Sequence, residues 1–173
     1  MATIKDIAAS VFTSLNSNGG VNVDVDGNNV SVNTTSGDDK VIVYGDGNAV
    51  ASGDGDDNII LKGSGNTAQA GAGNDRVTAI GDGNTLDGGD GDDIVYARGH
   101  NNVLDGGAGD DDINASGMRN TLIGREGDDL ITVSGYKNTV FAGEDNDTVN
   151  ASGINWLYGE SGDDTFNVTN GDG

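Results

Sequence analysis

Single apolar residues recur along this chain in two interleaved columns. One reads Val41, Ile59, Val77, Val95, Ile113, Ile131, Val149 and Phe166; the other, half a period away, reads Val50, Ala68, Leu86, Leu104, Leu122, Val140 and Leu157. The step within each column is eighteen residues, shortened to seventeen at the last member. Two residues beyond each member the chain is again small or aliphatic, as at Ala79, Ala97 and Ala115 in one half and Gly88, Gly106 and Gly124 in the other. Alternation with a period of two over three or four residues is the mark of a strand. A fixed longer period means one small unit stacked on itself. The pattern predicts an all-β solenoid over residues 19–173, about eight turns of two nine-residue halves, with two thin parallel sheets face to face. At about 4.8 Å per stacked strand, the stack spans roughly 40 Å.

The first eighteen residues follow a different rule. Ile4, Ile7, Ala8, Val11, Phe12 and Leu15 keep the i, i+3, i+4 spacing of an amphipathic helix. Thr3 and Asp6 have the form of a capping box, and Asn18-Gly19-Gly20 supplies a stop. Residues 4–16 are thus predicted to form one helix, and segment 1–18 to cap the open end of the solenoid, where core and unpaired strand edges would otherwise meet water.

Between the predicted strands lie two kinds of corner. One carries an aspartate at Asp39, Asp57, Asp75, Asp93, Asp111, Asp129, Asp147 and Asp164. The other carries an asparagine at Asn48, Asn66, Asn84, Asn102, Asn120, Asn138 and Asn155. Stacking aligns the aspartates along one edge about 5 Å apart, where carboxylates repel unless a cation lies between them. Glycines precede the aspartates at Gly53, Gly71, Gly89 and Gly107, and at Gly55, Gly73, Gly91, Gly109, Gly127 and Gly162. Glycine permits a turn that brings backbone carbonyls close to a ligand. Carbonyls together with one carboxylate from each of two neighbouring turns make an all-oxygen, adaptable cage, which suits Ca²⁺ better than Mg²⁺ and gives Zn²⁺ no ligand set. Up to about seven such sites fit between eight turns.

Composition sharpens this. The net charge is −21 over 173 residues, apolar residues make up only 34 %, and there are 31 glycines. Such a balance ordinarily marks disorder; the regular apolar columns argue for a fold, provided that cations discharge the acidic edge. There is no cysteine, so no disulfide or thiolate chemistry, and only one histidine, His100. The acidity disfavours nucleic acid as a partner, and no apolar run is long enough to span a bilayer. The start, MATIKDIAASVF, has neither the basic lead nor the apolar stretch of a cleaved signal peptide.

Segments GGDGDDIVY (88–96), GGAGDDDIN (106–114) and GREGDDLIT (124–132) resemble the nine-residue RTX, or haemolysin-type, calcium-binding repeat, and the likeness covers roughly residues 34–169. The resemblance implies a right-handed parallel β-roll in which the first six residues of each nonapeptide form the calcium turn. It also implies bacterial extracellular or cell-surface life after type I secretion, and folding triggered by calcium outside the cell. The sequence departs from the repeat in three places. The asparagine halves, such as ASGMRNTLI and VSGYKNTVF, lack the aspartate, so calcium rows are expected on one edge only. In AGEDNDTVN (142–150), Asp145 stands where the turn glycine belongs. The sequence ends in mid-repeat, at NVTNGDG.

A catalytic site is used once, whereas these carboxylates repeat in every turn, and nothing around His100 resembles a nucleophile with a base. A non-enzymatic calcium-binding module is expected, with an accessory or secretion-assisting domain of a secreted enzyme or toxin as the alternative. One feature breaks the repeat. The outward column Ala51, Gln69, Asp87, Asp105 turns apolar at Ile123, Phe141 and Tyr158, with Trp156 beside it. A contiguous apolar strip of this kind is a candidate surface for self-association or for a partner.

Overall fold

The computed structural model describes residues 10–15 and 19–169, and every regular element among them is a strand. The first eight are β1 (Ser10–Leu15), β2 (Val21–Asp26), β3 (Ser31–Asn33), β4 (Lys40–Tyr44), β5 (Ala49–Asp54), β6 (Asn58–Lys62), β7 (Thr67–Ala72) and β8 (Arg76–Ile80). They are followed by β9 (Thr85–Asp90), β10 (Ile94–Arg98), β11 (Val103–Ala108), β12 (Asp112–Met118), β13 (Thr121–Glu126), β14 (Leu130–Glu144), β15 (Thr148–Ser161) and β16 (Thr165–Thr169). From β2 to β13 the strands pair in parallel even with even and odd with odd; β14 and β15 each run through a corner and contribute to both faces, so β14 pairs with β12, β13 and β15, and β15 with β16. The result is a parallel β-solenoid of about eight coils of about eighteen residues.

The register repeats the sequence period. Val41 lies opposite Ile59, Ile59 opposite Val77, Val77 opposite Val95 and Val95 opposite Ile113. On the other face Ala68 lies opposite Leu86, and Leu86 opposite Leu104 and then Leu122. A slip of one residue would turn each of these side chains out to water, so the apolar columns themselves fix the register. From Val41 to Val149 the first column is wholly buried, as are Leu86, Leu104 and Leu122 in the second. Each Leu or Ile so removed from water contributes about 2 kcal/mol.

Two expectations need correction. The helix predicted over residues 4–16 is not what the described part of that segment forms. Ser10–Leu15 is a strand, antiparallel to β2, with Val11 opposite Val25, Thr13 opposite Val23 and Leu15 opposite Val21; residues 1–9 and 16–18 lie outside the described residues. The first coil exposes a row of unpaired N–H and C=O groups along β2, and a strand satisfies that row where a helix cannot. The sequence Val11-Phe12-Thr13, rich in β-branched and aromatic residues, accommodates the strand readily. Phe166 is the second correction. It sits in register with Val149, yet it is 41 % exposed and Val168 is 54 % exposed, because no described strand lies across from β16 to cover them.

Candidate metal centre

Each aspartate of the first edge stands at a corner, immediately before the strand that follows it: β4, β6, β8, β10, β12, β14, β15 and β16 in turn. Asp39, Asp57, Asp75, Asp93, Asp111, Asp129 and Asp147 are 1–3 % exposed; Asp164, at the end of the stack, is half-buried. Their carboxylates form a continuous ladder. The Asp39 N–H donates to Asp57 Oδ1 at 2.7 Å, Asp57 to Asp75 at 2.6 Å, Asp75 to Asp93 at 2.7 Å and Asp93 to Asp111 at 2.8 Å. The series continues through Asp129 and Asp147 to Asp164, and its first rung is Val21 N–H to Asp39 Oδ1. Each rung uses one carboxylate oxygen. The other, Oδ2, is buried without any hydrogen-bond partner in all seven residues from Asp39 to Asp147.

A buried carboxylate oxygen without a donor is costly, and seven in a row would not persist as free anions. Burial accordingly pushes the carboxyls of Asp75, Asp93 and Asp129 up to about 7 and that of Asp111 up to about 6, with the neighbouring aspartates adding to the rise. Asp57 and Asp147 are raised for the same first reason.

The surroundings of these oxygens fit a hard cation. Beside Gly88, the volume a Cβ would fill is bounded by Asp93 Oδ2 and by the Gly106 carbonyl of the next coil; beside Gly124 the same role falls to Asp129 Oδ2 and the Ala142 carbonyl. The turn glycines stack equally closely. A Cβ on Gly73, Gly91, Gly109 or Gly127 would overlap the carbonyl oxygen of the equivalent glycine one coil earlier, and all four have φ between +117° and +130°. Among the described residues no three acidic or histidine side chains converge on one point. Any ion here would therefore take part of its shell from these backbone carbonyls, an oxygen set of the kind Ca²⁺ accepts.

The opposite edge is built on the same plan from a different residue. Asn48, Asn66, Asn84, Asn102, Asn120 and Asn138 are buried, and their Oδ1 atoms accept the N–H of the preceding coil, as in Asn84 to Asn102 at 2.8 Å and Asn102 to Asn120 at 2.9 Å. Their Nδ2 groups donate as well, Asn84 and Asn102 each onward to the next Oδ1 at 3.2 Å, Asn120 and Asn138 back to the carbonyls of Gly99 and Gly117. Of this column only Asn66 Nδ2 is buried without a partner.

A further ladder had no reading in the sequence. The residue before each edge aspartate faces solvent, and its side chain accepts the N–H of the following coil: Asn74 to Asp56 at 2.9 Å, Asp92 to Asn74 at 3.1 Å, Asp128 to Asp110 at 2.9 Å. The mixture of Asp and Asn in this column was the available signal, since both side chains offer an acceptor oxygen. His100 acts likewise at the asparagine edge, its Nδ1 accepting the Met118 N–H at 3.0 Å. In the apolar strip, Ile123 lies in register with Phe141, and Phe141 with Tyr158. The two rings stack at 5.1 Å with 12° between their planes, and Trp156 and Tyr158 are half exposed.

Comparison with known families gives two matches. A family described as the RTX calcium-binding nonapeptide repeat (4 copies) matches residues 62–79, 78–113 and 151–173. A family described as a protein of unknown function (DUF3060) matches residues 109–155. No curated protein and no solved structure matches the chain.

Proposed function

Because the chain carries RTX calcium-binding nonapeptide repeats on a parallel β-solenoid, we propose that it is a calcium-binding module whose folding depends on the ion. Calcium is held between successive Gly-rich turns along the aspartate edge alone, in up to about seven sites. The observation that carries this reading is the row of seven buried Oδ2 atoms without a donor. When bound, the ion supplies positive charge and nothing else. The carboxylates from Asp39 to Asp164 would hold it between neighbouring coils, with the turn carbonyls at Gly53, Gly55, Gly71, Gly73, Gly89, Gly91, Gly107, Gly109, Gly127 and Gly162 as the further oxygen donors. The coils wind with a right hand, as parallel strand crossovers do.

The module is non-enzymatic and works outside the cell or on a bacterial surface. There it serves either in its own right or as the accessory part of a secreted enzyme or toxin. The strip of exposed Tyr158 and Trp156 with half-buried Phe141 and Ile123 is its self-association surface. Replacing Phe141 and Tyr158 with Ser should leave calcium stoichiometry unchanged and abolish any concentration-dependent increase in sedimentation coefficient.

The deciding experiment is circular dichroism of the chain with calcium and with excess chelator. Without calcium the chain should be largely unfolded, and β-structure should return cooperatively on titration, because binding free energy here is folding free energy. A β-rich spectrum of unchanged thermal stability in chelator would overturn the proposal.

A further inference from the structure

Four consecutive strands of one face contain no acidic residue, although the chain as a whole carries −21. They are β4 (KVIVY), β6 (NIILK), β8 (RVTAI) and β10 (IVYAR). Acids return at once on either side, with Asp24 and Asp26 in β2 and Asp112 in β12. Within this window lie four of the eight basic residues of the chain, Lys40, Lys62, Arg76 and Arg98, all exposed. None of the four takes part in an ion pair among the described residues, where the salt bridge is Arg125 to Asp105. Lys62 leans over the Tyr44 ring at 4.8 Å.

Their placement is regular. Lys40 and Arg76 open β4 and β8, while Lys62 and Arg98 close β6 and β10. In register, Lys40 and Arg76 flank Asn58 on one side of the face, and Lys62 and Arg98 flank Ile80 on the other. The cations therefore change side with every coil. Same-side neighbours are two strands apart, about 10 Å, and the two rows are four residues apart, about 13 Å. Between the rows runs a half-buried lane, Ile42, Ile60, Thr78 and Tyr96, also in register. Exposed acids rim the face at both corners, Asp56 and Asp92 on one and Asp46 and Asp82 on the other.

We propose that this face binds a linear acidic polysaccharide, a β-1,4-linked uronic acid chain lying along the solenoid axis. In such a ribbon-like chain successive rings flip over, so carboxylates alternate sides ring by ring, and one ring is about as long as one coil is thick. Each carboxylate then meets a cation on its own side, while the apolar ring faces rest on the central lane. An extended acidic peptide repeats on one side every two residues, about 7 Å, and falls out of step with the cations. A flat anionic membrane would meet both acidic rims at once. A narrow polymer sits between them.

The test uses the whole chain, saturated with calcium, freed of excess ion and shown by circular dichroism to be folded, so that a failure of calcium-dependent folding is seen separately. The probe is a β-1,4-linked glucuronic acid hexasaccharide, followed by titration calorimetry and by amide chemical shifts. Saturable binding is expected, with shifts confined to β4, β6, β8 and β10. Lys62→Gln and Arg76→Gln should each weaken it about fivefold, the worth of one exposed charge pair. Arg119→Gln and Lys137→Gln, which remove cations elsewhere, should leave it unchanged. Equal binding of the neutral glucan of the same length, or indifference to both patch substitutions, would overturn the proposal. Tighter binding of polyglutamate would reassign the face to an acidic peptide, and tighter binding of vesicles of phosphatidylcholine and phosphatidylglycerol to a lipid surface.

Discussion

The side chains that line the two edges of this solenoid differ by one atom per coil. At both, a side-chain oxygen accepts the backbone N–H of the coil before it, at 2.6–3.1 Å along the aspartates and 2.8–3.2 Å along the asparagines. Both columns are buried to the same degree. The remaining atom decides the chemistry. In asparagine it is an amide nitrogen, which at every coil but that of Asn66 donates to a neighbouring group and closes the ladder without charge. In aspartate it is an oxygen, which has nothing to donate and leaves one partnerless buried acceptor at each of seven coils. One edge is complete as a polypeptide, and the other is complete only with a cation or a proton.

Exchanging that atom gives the largest expected effect. Asn102→Asp places an uncompensated carboxylate in the neutral ladder and should cost the calcium-bound form about 3 kcal/mol or more, since the asparagine turn has no cage for the ion. Asp93→Asn should do the opposite in chelator, raising stability by letting its Nδ2 reach Asp111 Oδ1, while removing up to two ions from the calcium-bound form. Calorimetric stoichiometry and denaturation midpoints read both. If Asn102→Asp gains an ion instead of losing stability, the two edges are equivalent and the asymmetry is wrong.

Protonation is the milder version of the same exchange, because a protonated aspartic acid carries a donor where asparagine does. Asp75, Asp93 and Asp129 titrate near 7 in the fold and Asp111 near 6, against 3.8 for the ordinary group. A carboxyl raised on folding binds its proton more tightly in the native state. Its contribution is thus fully present below pH 3.8 and is lost as pH rises through 6 to 7. In chelator, then, stability should increase as pH falls from 8 to 5. With calcium the sign reverses over the same range, because the ion requires ionised ligands and acid releases it. Circular dichroism between pH 8 and 5 should therefore show β-structure growing as pH falls in chelator and declining as pH falls in calcium; the same direction in both would mean that the aspartates are not the ligands.

Much of this was legible because the period does the work of a tertiary constraint. An eighteen-residue step fixes which residues stack, so the core columns, the two edges and the aspartate row follow from counting. Ser10–Leu15 was not legible, because Val11, Thr13 and Leu15 satisfy a strand while Val11, Phe12 and Leu15 satisfy a helix. The free edge of β2 decided between them, and that edge exists only once the coil is folded. Phe166 shows the converse. Its register was readable, but its burial depends on a strand opposite, and register carries no information about that. The orphaned oxygens lay deeper still: the sequence placed the carboxylates on one edge, but only coordinates separate the oxygen that bonds from the one that does not.

The smallest expected effect concerns the turns that hold the two edges apart. At the asparagine corner the tip residue has φ between +56° and +68°, a conformation that Asn29, Asn101, Arg119 and Lys137 adopt alongside Gly47, Gly65 and Gly83. At the aspartate corner the glycines from Gly55 to Gly127 have φ between +117° and +130°, a region essentially closed to other residues. Asp145 occupies that column and relaxes to φ +76°, so its turn is both strained and shaped differently from its neighbours. Asp145→Gly should restore the common turn and stabilise the calcium-bound form by about 1 kcal/mol, read as a higher denaturant midpoint at unchanged slope. It should also tighten calcium binding, since an ion held at this turn would then meet carbonyls arranged as in the neighbouring coils. Loss of an ion on the same substitution would show that the Asp145 carboxylate is itself a ligand, and that the aspartate edge tolerates a second way of building its cage.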